Sequence, residues 1–213
     1  ATGTATISAS SSGLAGDSTG LTVIDPVISI VSGDNQSGLV GTVLGEAFVI
    51  ELIENSTGTP MAGATVSFAV TAGGGTVTPV SAVTDAAGRA STTLTLGAAA
   101  GTNTVTATAQ DVGSVAFTAT ANPGASVTLS LTPVTANTNV NAAVSYDATV
   151  VDAFGNVVTD AANLVGFSVS GVSGTFSPGS PLTPSSGIAS TSFTPTTVGA
   201  ATITASATGL TPA

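Results

Sequence analysis

One short segment of the chain recurs three times at an equal spacing. The copies read TATISAS at 4–10, NTVTATA at 103–109 and ATITASA at 201–207. Their central apolar residues are 98 residues apart in both intervals: Ile7, Val105 and Ile203. This period is too long for a solenoid repeat and fits a β-sandwich domain of about 100 residues. The repeat therefore predicts two sandwiches in tandem, preceded by the end of another repeat.

Each period contains short segments rich in β-branched residues, in which apolar and polar side chains alternate. EAFVIELI at 46–53 and AAVSYDATVV at 142–151 are examples. Alternation with period two predicts half-buried strands, and turn signals such as TAGGG and DAAG separate these segments. No segment keeps the 3.6-residue period of a helix, so an all-β fold without helices is predicted. The residues predicted to face inward are Phe48, Ile50, Leu52, Val66, Phe68, Val70, Leu94, Leu96, Val105 and Phe117, and then Val127, Leu129, Leu131, Tyr146, Ala148, Val150, Phe167, Val169, Phe193 and Ile203.

Two longer segments of the first period carry a family resemblance. They read GTPMAGATVSFAVTAGGGTVTP at 58–79 and TDAAGRASTTLTLGAAAGTNTVTATA at 84–109. This pattern, over roughly 27–122, resembles the bacterial Ig-like domain of the invasin and intimin type. Residues 125–213 keep DAFGN and SGIASTSFTP and are similar to the same group, less closely. The resemblance implies tandem immunoglobulin-like antiparallel β-sandwiches that form stalks of adhesins, surface fibres and cell-wall proteins, without catalytic residues.

The positions of the three copies of the recurring segment predict three parts of the chain: an N-terminal β-arm at 1–25, one Ig-like domain at 26–122, and a second at 123–213. The first domain finishes with two strand-like segments, NTVTATA and SVAFTATA. The second has ATITASA, and no strand-like segment follows it. We therefore expect the second domain to lack its last strand, which would leave an unpaired sheet edge.

Two explanations of the N-terminal arm and the missing last strand remain open. In the first, the chain is a window from a longer tandem array, and the arm is the end of a preceding repeat. In the second, the arm of one copy completes the second domain of another copy by donor-strand complementation. Such a contact is head-to-tail and produces a filament. The candidate self-assembly residues are the apolar residues of the arm: Ile7, Leu14, Leu21, Val23 and Ile24.

Composition excludes several classes of function. The chain has one basic and eleven acidic residues, a net charge of −10, which disfavours nucleic acid and anionic membrane surfaces. Cysteine and histidine are absent, so disulfides, Cys/His zinc sites and His-based catalysis are excluded. No apolar run reaches the length of about 18 residues that membrane insertion requires. Without tryptophan and with one tyrosine, a glycosidase cleft is not indicated, and we predict that the chain is not an enzyme.

Four carboxylates are weak candidates for binding Ca²⁺, the one cofactor that the sequence leaves open. Glu51 and Glu54, or Asp152 and Asp160, could meet in space, although none belongs to a D-x-D-x-D-G calcium loop. The alternative, which we favour, is that they are solvated residues of turns and strand edges.

These observations together predict an extracellular or cell-surface structural protein. The favoured function is a structural subunit or spacer, assembling head to tail by strand donation into a filament. Its partners would then be further copies of itself or neighbouring Ig-like repeats. The alternative is the stalk or binding segment of a multidomain adhesin that recognises a receptor or a glycan.

Overall fold

The computed structural model describes residues 3–9 and 17–213. Strands and turns make up this part of the chain, and no helix is found in it, as the alternation predicts. No helix among the described residues could therefore cross a membrane. The contacts divide the chain into two compact units, Ala1–Asn122 and Pro123–Ala213.

Seventeen strands are numbered here in chain order. Those of the first unit are β1 (Gly3–Ala9), β2 (Asp17–Val23), β3 (Pro26–Ser32), β4 (Gln36–Leu39), β5 (Phe48–Glu54), β6 (Thr65–Ala72), β7 (Thr76–Thr78), β8 (Ser81–Val83), β9 (Arg89–Thr95), β10 (Gly101–Ala109) and β11 (Gly113–Asn122). Those of the second unit are β12 (Thr128–Thr132), β13 (Val144–Val151), β14 (Val165–Ser170), β15 (Gly174–Ser177), β16 (Ile188–Pro195) and β17 (Thr202–Ala207).

The first unit contains two sheets that form a complete sandwich. One has the order β3-β5-β9-β7 and the other the order β4-β11-β10-β6-β8. The apolar residues of each strand alternate inward, so that Phe48 and Phe117 stack with ring centroids 4.6 Å apart and are fully buried. Nine of the ten residues predicted to face inward here are buried, and Val70 packs against them half-buried. Each such aliphatic or aromatic side chain contributes about 1.5–3 kcal/mol by leaving water.

The second unit has a smaller core, because one of its sheets is much narrower. One sheet has the order β12-β13-β16-β15, but the other contains β14 and β17 alone. Phe167 and Phe193 are buried as predicted, whereas Tyr146 and Ile203 remain half-buried. The inward prediction for Val127 is wrong: this residue precedes β12 at the end of the sheet and is 43% exposed.

The N-terminal strands β1 and β2 form an antiparallel sheet of their own. Their register runs from Gly3 opposite Val23 to Ala9 opposite Asp17. The pair β10 and β11 has the same register with both partners 98 residues later, beginning with Gly101 opposite Ala121. The N-terminal hairpin is thus the structural counterpart of the last two strands of the first sandwich.

Candidate strand-docking site

The outer edge of β17 in the second unit differs from its counterpart in the first unit. There, β10 lies between β6 and β11 and pairs with both. In the second unit β17 pairs with β14 on one edge, and residues 211–213 cover part of the other. Ala205 and Ala213 exchange two backbone hydrogen bonds of 3.0 and 3.1 Å. This pair lies 98 residues after Ala107 and Val115, so residues 211–213 take the first register positions of a strand equivalent to β11.

A second strand is also without a counterpart in the second unit. In the first unit β4 is hydrogen-bonded to β11, in parallel, with Gln36 opposite Ala119. The corresponding part of the second unit, 133–143, lies between β12 and β13 and contains no strand. A strand needs a backbone partner along its length. Among the described residues, none supplies 133–143 with the partner that β11 supplies to β4.

A groove of about 680 Å³ lies where these two strands would run. Tyr146, Phe193 and Ile203 form part of its apolar floor, and no charged residue lines it. Val134 and Val198, at its margins, are 89% and 92% exposed. A partly covered strand edge beside an uncharged groove is a geometry that accepts an added β-strand.

Tyr146 shows what the groove lacks compared with the first sandwich. It lies on β13 at the position of Phe48 on β5, 98 residues earlier. Phe48 is covered by Phe117 of β11, whereas no described residue stacks on Tyr146. The half-buried state of Tyr146 therefore reflects the uncovered edge.

Four of the five candidate self-assembly residues lie on or next to the N-terminal hairpin. Ile7 is on β1 and is 62% exposed, and Leu21 is a residue of β2. Val23 at the end of β2 and Ile24 after it are 48% and 49% exposed. Leu14 falls outside the residues that the structure describes.

Three of the four calcium candidates have other partners. Glu51 lies opposite Arg89 and pairs with it, Oε1 to Nε, at 3.3 Å. Asp160 is exposed, whereas Glu54 and Asp152 are buried, so the expectation of solvated residues is wrong for these two. Over residues 3–9 and 17–213, no group of three or more acidic side chains could hold a metal ion.

Glu54 and Asp152 form a repeated structural feature that the sequence analysis did not identify. They are 98 residues apart and lie at the end of β5 and directly after β13. Glu54 accepts hydrogen bonds from the backbone and hydroxyl groups of Ser56 and Thr57. The hydroxyl of Thr57 is the main cause that lowers the pKa of Glu54 to about 2, against the opposing effect of burial. The repeat spacing was the signal that could have found this pair.

Asp152 holds the start of the second unit to the turn after β13. It accepts hydrogen bonds from the backbone N–H groups of Gly124, Phe154 and Asn156 at 2.8, 2.8 and 2.9 Å, and from the Asn156 side chain. Burial raises the pKa of Asp152, but the hydrogen bonds from Asn156, Gly124 and Phe154 together lower it to about 2. A carboxylate with this many donors stabilises the fold in its ionised form.

We expect the stability of the second unit to depend on pH through Asp152. Its folded-state pKa is below the ordinary value of 3.8, so its contribution is complete above about pH 4 and is lost as the pH falls towards 2. Asp152→Asn should lower the free energy of unfolding at pH 7 by about 1 kcal/mol and weaken the acid dependence. Urea titrations followed by tyrosine fluorescence measure both, because Tyr146 is the one tyrosine of the chain. Equal acid sensitivity of Asp152→Asn and the unchanged chain would contradict this assignment, and Asp160→Asn is the control.

The second unit matches a known protein family. Residues 126–213 match the family model described as bacterial Ig-like domain (group 1). The resemblance identified in the sequence is thereby confirmed, although the sequence placed its clearer part in the first unit. No curated protein matches the chain.

Several solved structures are similar to the chain at low sequence identity. The D0-D1 domain of intimin is 22% identical, with a TM-score of 0.36, over 88% of this chain and 95% of that one. The Escherichia coli adhesin FdeC is 18% identical, with a TM-score of 0.43, over 91% of this chain and 65% of that one. A β-glucuronidase of Parabacteroides merdae is 15% identical, with a TM-score of 0.38, over 90% and 24%. The chain therefore corresponds to a part of the latter two structures.

Proposed function

We propose that this chain is a structural subunit or spacer of an extracellular prokaryotic surface protein. The premise is that residues 126–213 match the bacterial Ig-like domain of group 1. Copies join head to tail by strand donation and form a filament. In this proposal the sandwiches set the length of each subunit, and strand pairing supplies the contact between subunits. The chain has no catalytic activity of its own.

The outer edge of β17, which the described residues cover only in part, carries this proposal. The first sandwich shows the complete arrangement, with β11 and β4 covering the corresponding edge. In the second unit the same edge has residues 211–213 beside it and an uncharged groove of about 680 Å³. An exposed strand edge pairs with whatever strand is available. A strand supplied by another molecule would cover it and at the same time link the molecules.

The surface chemistry also supports a structural role. The chain has a net charge of −10, and the groove contains no charged side chain that could act as an acid or a base. Arg89 is the one basic residue of the sequence and is engaged with Glu51. A spacer requires rigid sandwiches and a soluble surface, and the acidic charge keeps unjoined molecules apart.

Electron microscopy of the purified chain tests this function. We expect filaments from the full chain, and unpolymerised particles from a chain that lacks residues 1–24. Filaments from the shortened chain would contradict strand donation. Isolated particles of the full chain that bind a receptor or a glycan would instead support the alternative, a binding segment of an adhesin.

A single charge in the arm should have the same effect as its removal. Val23→Asp is expected to prevent filaments, because it would place a carboxylate in a groove that has no basic side chain to pair with it. Val83→Asp is the matched control, since Val83 is an exposed valine of β8 in the first sandwich. Sedimentation of both variants measures the polymerised fraction. Equal polymerisation of the two variants would argue against a role of the arm.

A further inference from the structure

We propose that the parallel pair of β4 and β11 is a mechanical clamp, which keeps the first sandwich folded when the chain is pulled along its length. This inference rests on the proposed function, because a spacer of a surface protein bears the tension between the points that it joins. It goes beyond that function by identifying the strands that resist the tension. Both strands belong to one sheet of the first sandwich, and the chain continues on both sides of that sandwich.

The strands β4 and β11 connect the beginning of the sandwich to its end. The chain enters β4 at Gln36, after β3, and it leaves β11 at Asn122 towards the second unit. The two strands pair in parallel, with Gln36 opposite Ala119 and Leu39 opposite Asn122. Once β3 has detached from β5, tension from outside the sandwich pulls β4 through Gln36 and β11 through Asn122. These two residues lie at opposite ends of the paired segment.

The direction of pulling decides how the hydrogen bonds of a strand pair fail. Two strands pulled from opposite ends must slide along each other, so the evenly spaced bonds of a parallel pair are loaded together. Two strands pulled from the same end separate one bond at a time, and each bond in turn carries the full load. Forced unfolding is governed by the rate of unfolding rather than by the equilibrium free energy. A short parallel pair can therefore resist tension by more than its contribution to equilibrium stability.

Further hydrogen bonds extend the pair at both ends of β4. The N–H of Asn35 donates to the carbonyl of Thr118, and the N–H of Val40 donates to the carbonyl of Asn122, both at 2.9 Å. Asp34 Oδ1 accepts a bond of 2.7 Å from the N–H of Thr118. The hydroxyl of Thr118 donates to Asn35 Oδ1 at 2.8 Å. The end through which β4 is pulled thus has side-chain bonds in addition to the backbone bonds.

Gln36 fixes β4 to the segment that precedes β5. Its Nε2 donates to the carbonyls of Gly33 and Glu46 at 2.6 and 3.0 Å, and its Oε1 accepts a bond of 3.0 Å from the N–H of Glu46. Glu46 lies two residues before β5, which belongs to the other sheet. For this reason β4 cannot slide along β11 without also breaking the bonds of Gln36.

Pulling the folded chain in two directions tests the clamp. The natural chain has no cysteine, so two introduced cysteines can carry the handles of an optical trap. Gly20→Cys with Ala125→Cys loads β4 and β11 from opposite ends, the shearing geometry. Gly20→Cys with Ser114→Cys loads both strands from their N-terminal ends, the unzipping geometry. All three positions are exposed, and a Cβ at Gly20 meets no neighbour.

We expect the folded sandwich to survive a constant force about tenfold longer in the shearing geometry than in the unzipping geometry. The two chains should nevertheless unfold at the same urea concentration, because their differing substitutions are at exposed positions. Equal lifetimes in the two geometries would overturn the clamp.

A pair of variants separates mechanical resistance from equilibrium stability in the shearing geometry. Asp34→Ala removes the side-chain bond to Thr118 at one end of the clamp. Thr84→Val removes a buried hydroxyl that donates to the carbonyl of Met61 at 2.6 Å and accepts from the N–H of Ala64 at 2.9 Å. Asp34→Ala should shorten the lifetime about fivefold, whereas Thr84→Val should lower the urea midpoint and change the lifetime less than about twofold. Lifetimes that fall in proportion to the loss of equilibrium stability in both variants would overturn the clamp.

The outcomes separate this inference from the proposed function. A lifetime that depends on the pulling direction, in a chain that forms no filaments, would support the clamp and overturn the filament. Filaments from a chain whose lifetime is the same in both directions would overturn the clamp and leave the filament intact.

Discussion

Phe117→Ala is expected to lower the free energy of unfolding of the first unit by about 3–5 kcal/mol. Phe117 is fully buried on β11, and its ring stacks on that of Phe48 at 4.6 Å. Its removal leaves a cavity between the two sheets and takes away the aromatic contact that joins them. Denaturant unfolding, combined with hydrogen exchange of the β5 and β11 amides, measures the loss in this unit.

Phe154→Ala is the control, because Phe154 is 57% exposed and should contribute less than about 0.5 kcal/mol. A loss below about 1 kcal/mol for Phe117→Ala would show that β11 is not an essential part of the sandwich. The inference that the second unit requires an equivalent strand would then lose its energetic basis.

Val105→Ala and Ile203→Ala should differ in a way that depends on assembly. The two residues are 98 positions apart on β10 and β17, but Val105 is fully buried and Ile203 is half-buried at the groove. Val105→Ala should cost the first unit about 2 kcal/mol in every state. Ile203→Ala should cost the second unit about 1 kcal/mol in the single copy and about twice as much in the assembled form, because docking would bury the rest of the side chain.

Unfolding titrations of the single copies, and of filaments at matched chain concentration, give these values. Val105→Ala serves as the internal control, since its cost should not change on assembly. A cost of Ile203→Ala that is the same in both states would show that assembly leaves the groove uncovered.

Much of the fold follows from the sequence, because alternation and turn residues are local signals. The strands β5, β9, β10 and β11 and their inward-facing residues could be predicted from apolar residues at every second position. Phe48 and Phe117 accordingly face each other in the core. Short strands such as β4 and β7 were not predicted. Their few residues carry no clear alternation, and they exist because a neighbouring strand offers backbone partners.

Only part of the candidate site could be predicted from the sequence. The period of 98 residues predicts that the arm corresponds to the last strands of a repeat. The register of β1 with β2 matches that of β10 with β11. The role of Asp152 was not predicted, because a carboxylate in a turn is usually solvated. Its burial depends on backbone donors from Gly124 and Phe154, whose proximity is set by the tertiary fold.

The solvent accessibility of Tyr146 tests the central claim most directly. Tyr146 is the one tyrosine of a chain without tryptophan, it lines the groove, and it is half-buried in the single copy. Quenching of its fluorescence by acrylamide can be compared between single copies and assembled chains. Strand docking predicts that assembly reduces the quenching constant several-fold, and that the chain lacking residues 1–24 keeps the value of the single copy. Assembled chains in which acrylamide reaches Tyr146 as readily as in single copies would contradict the claim.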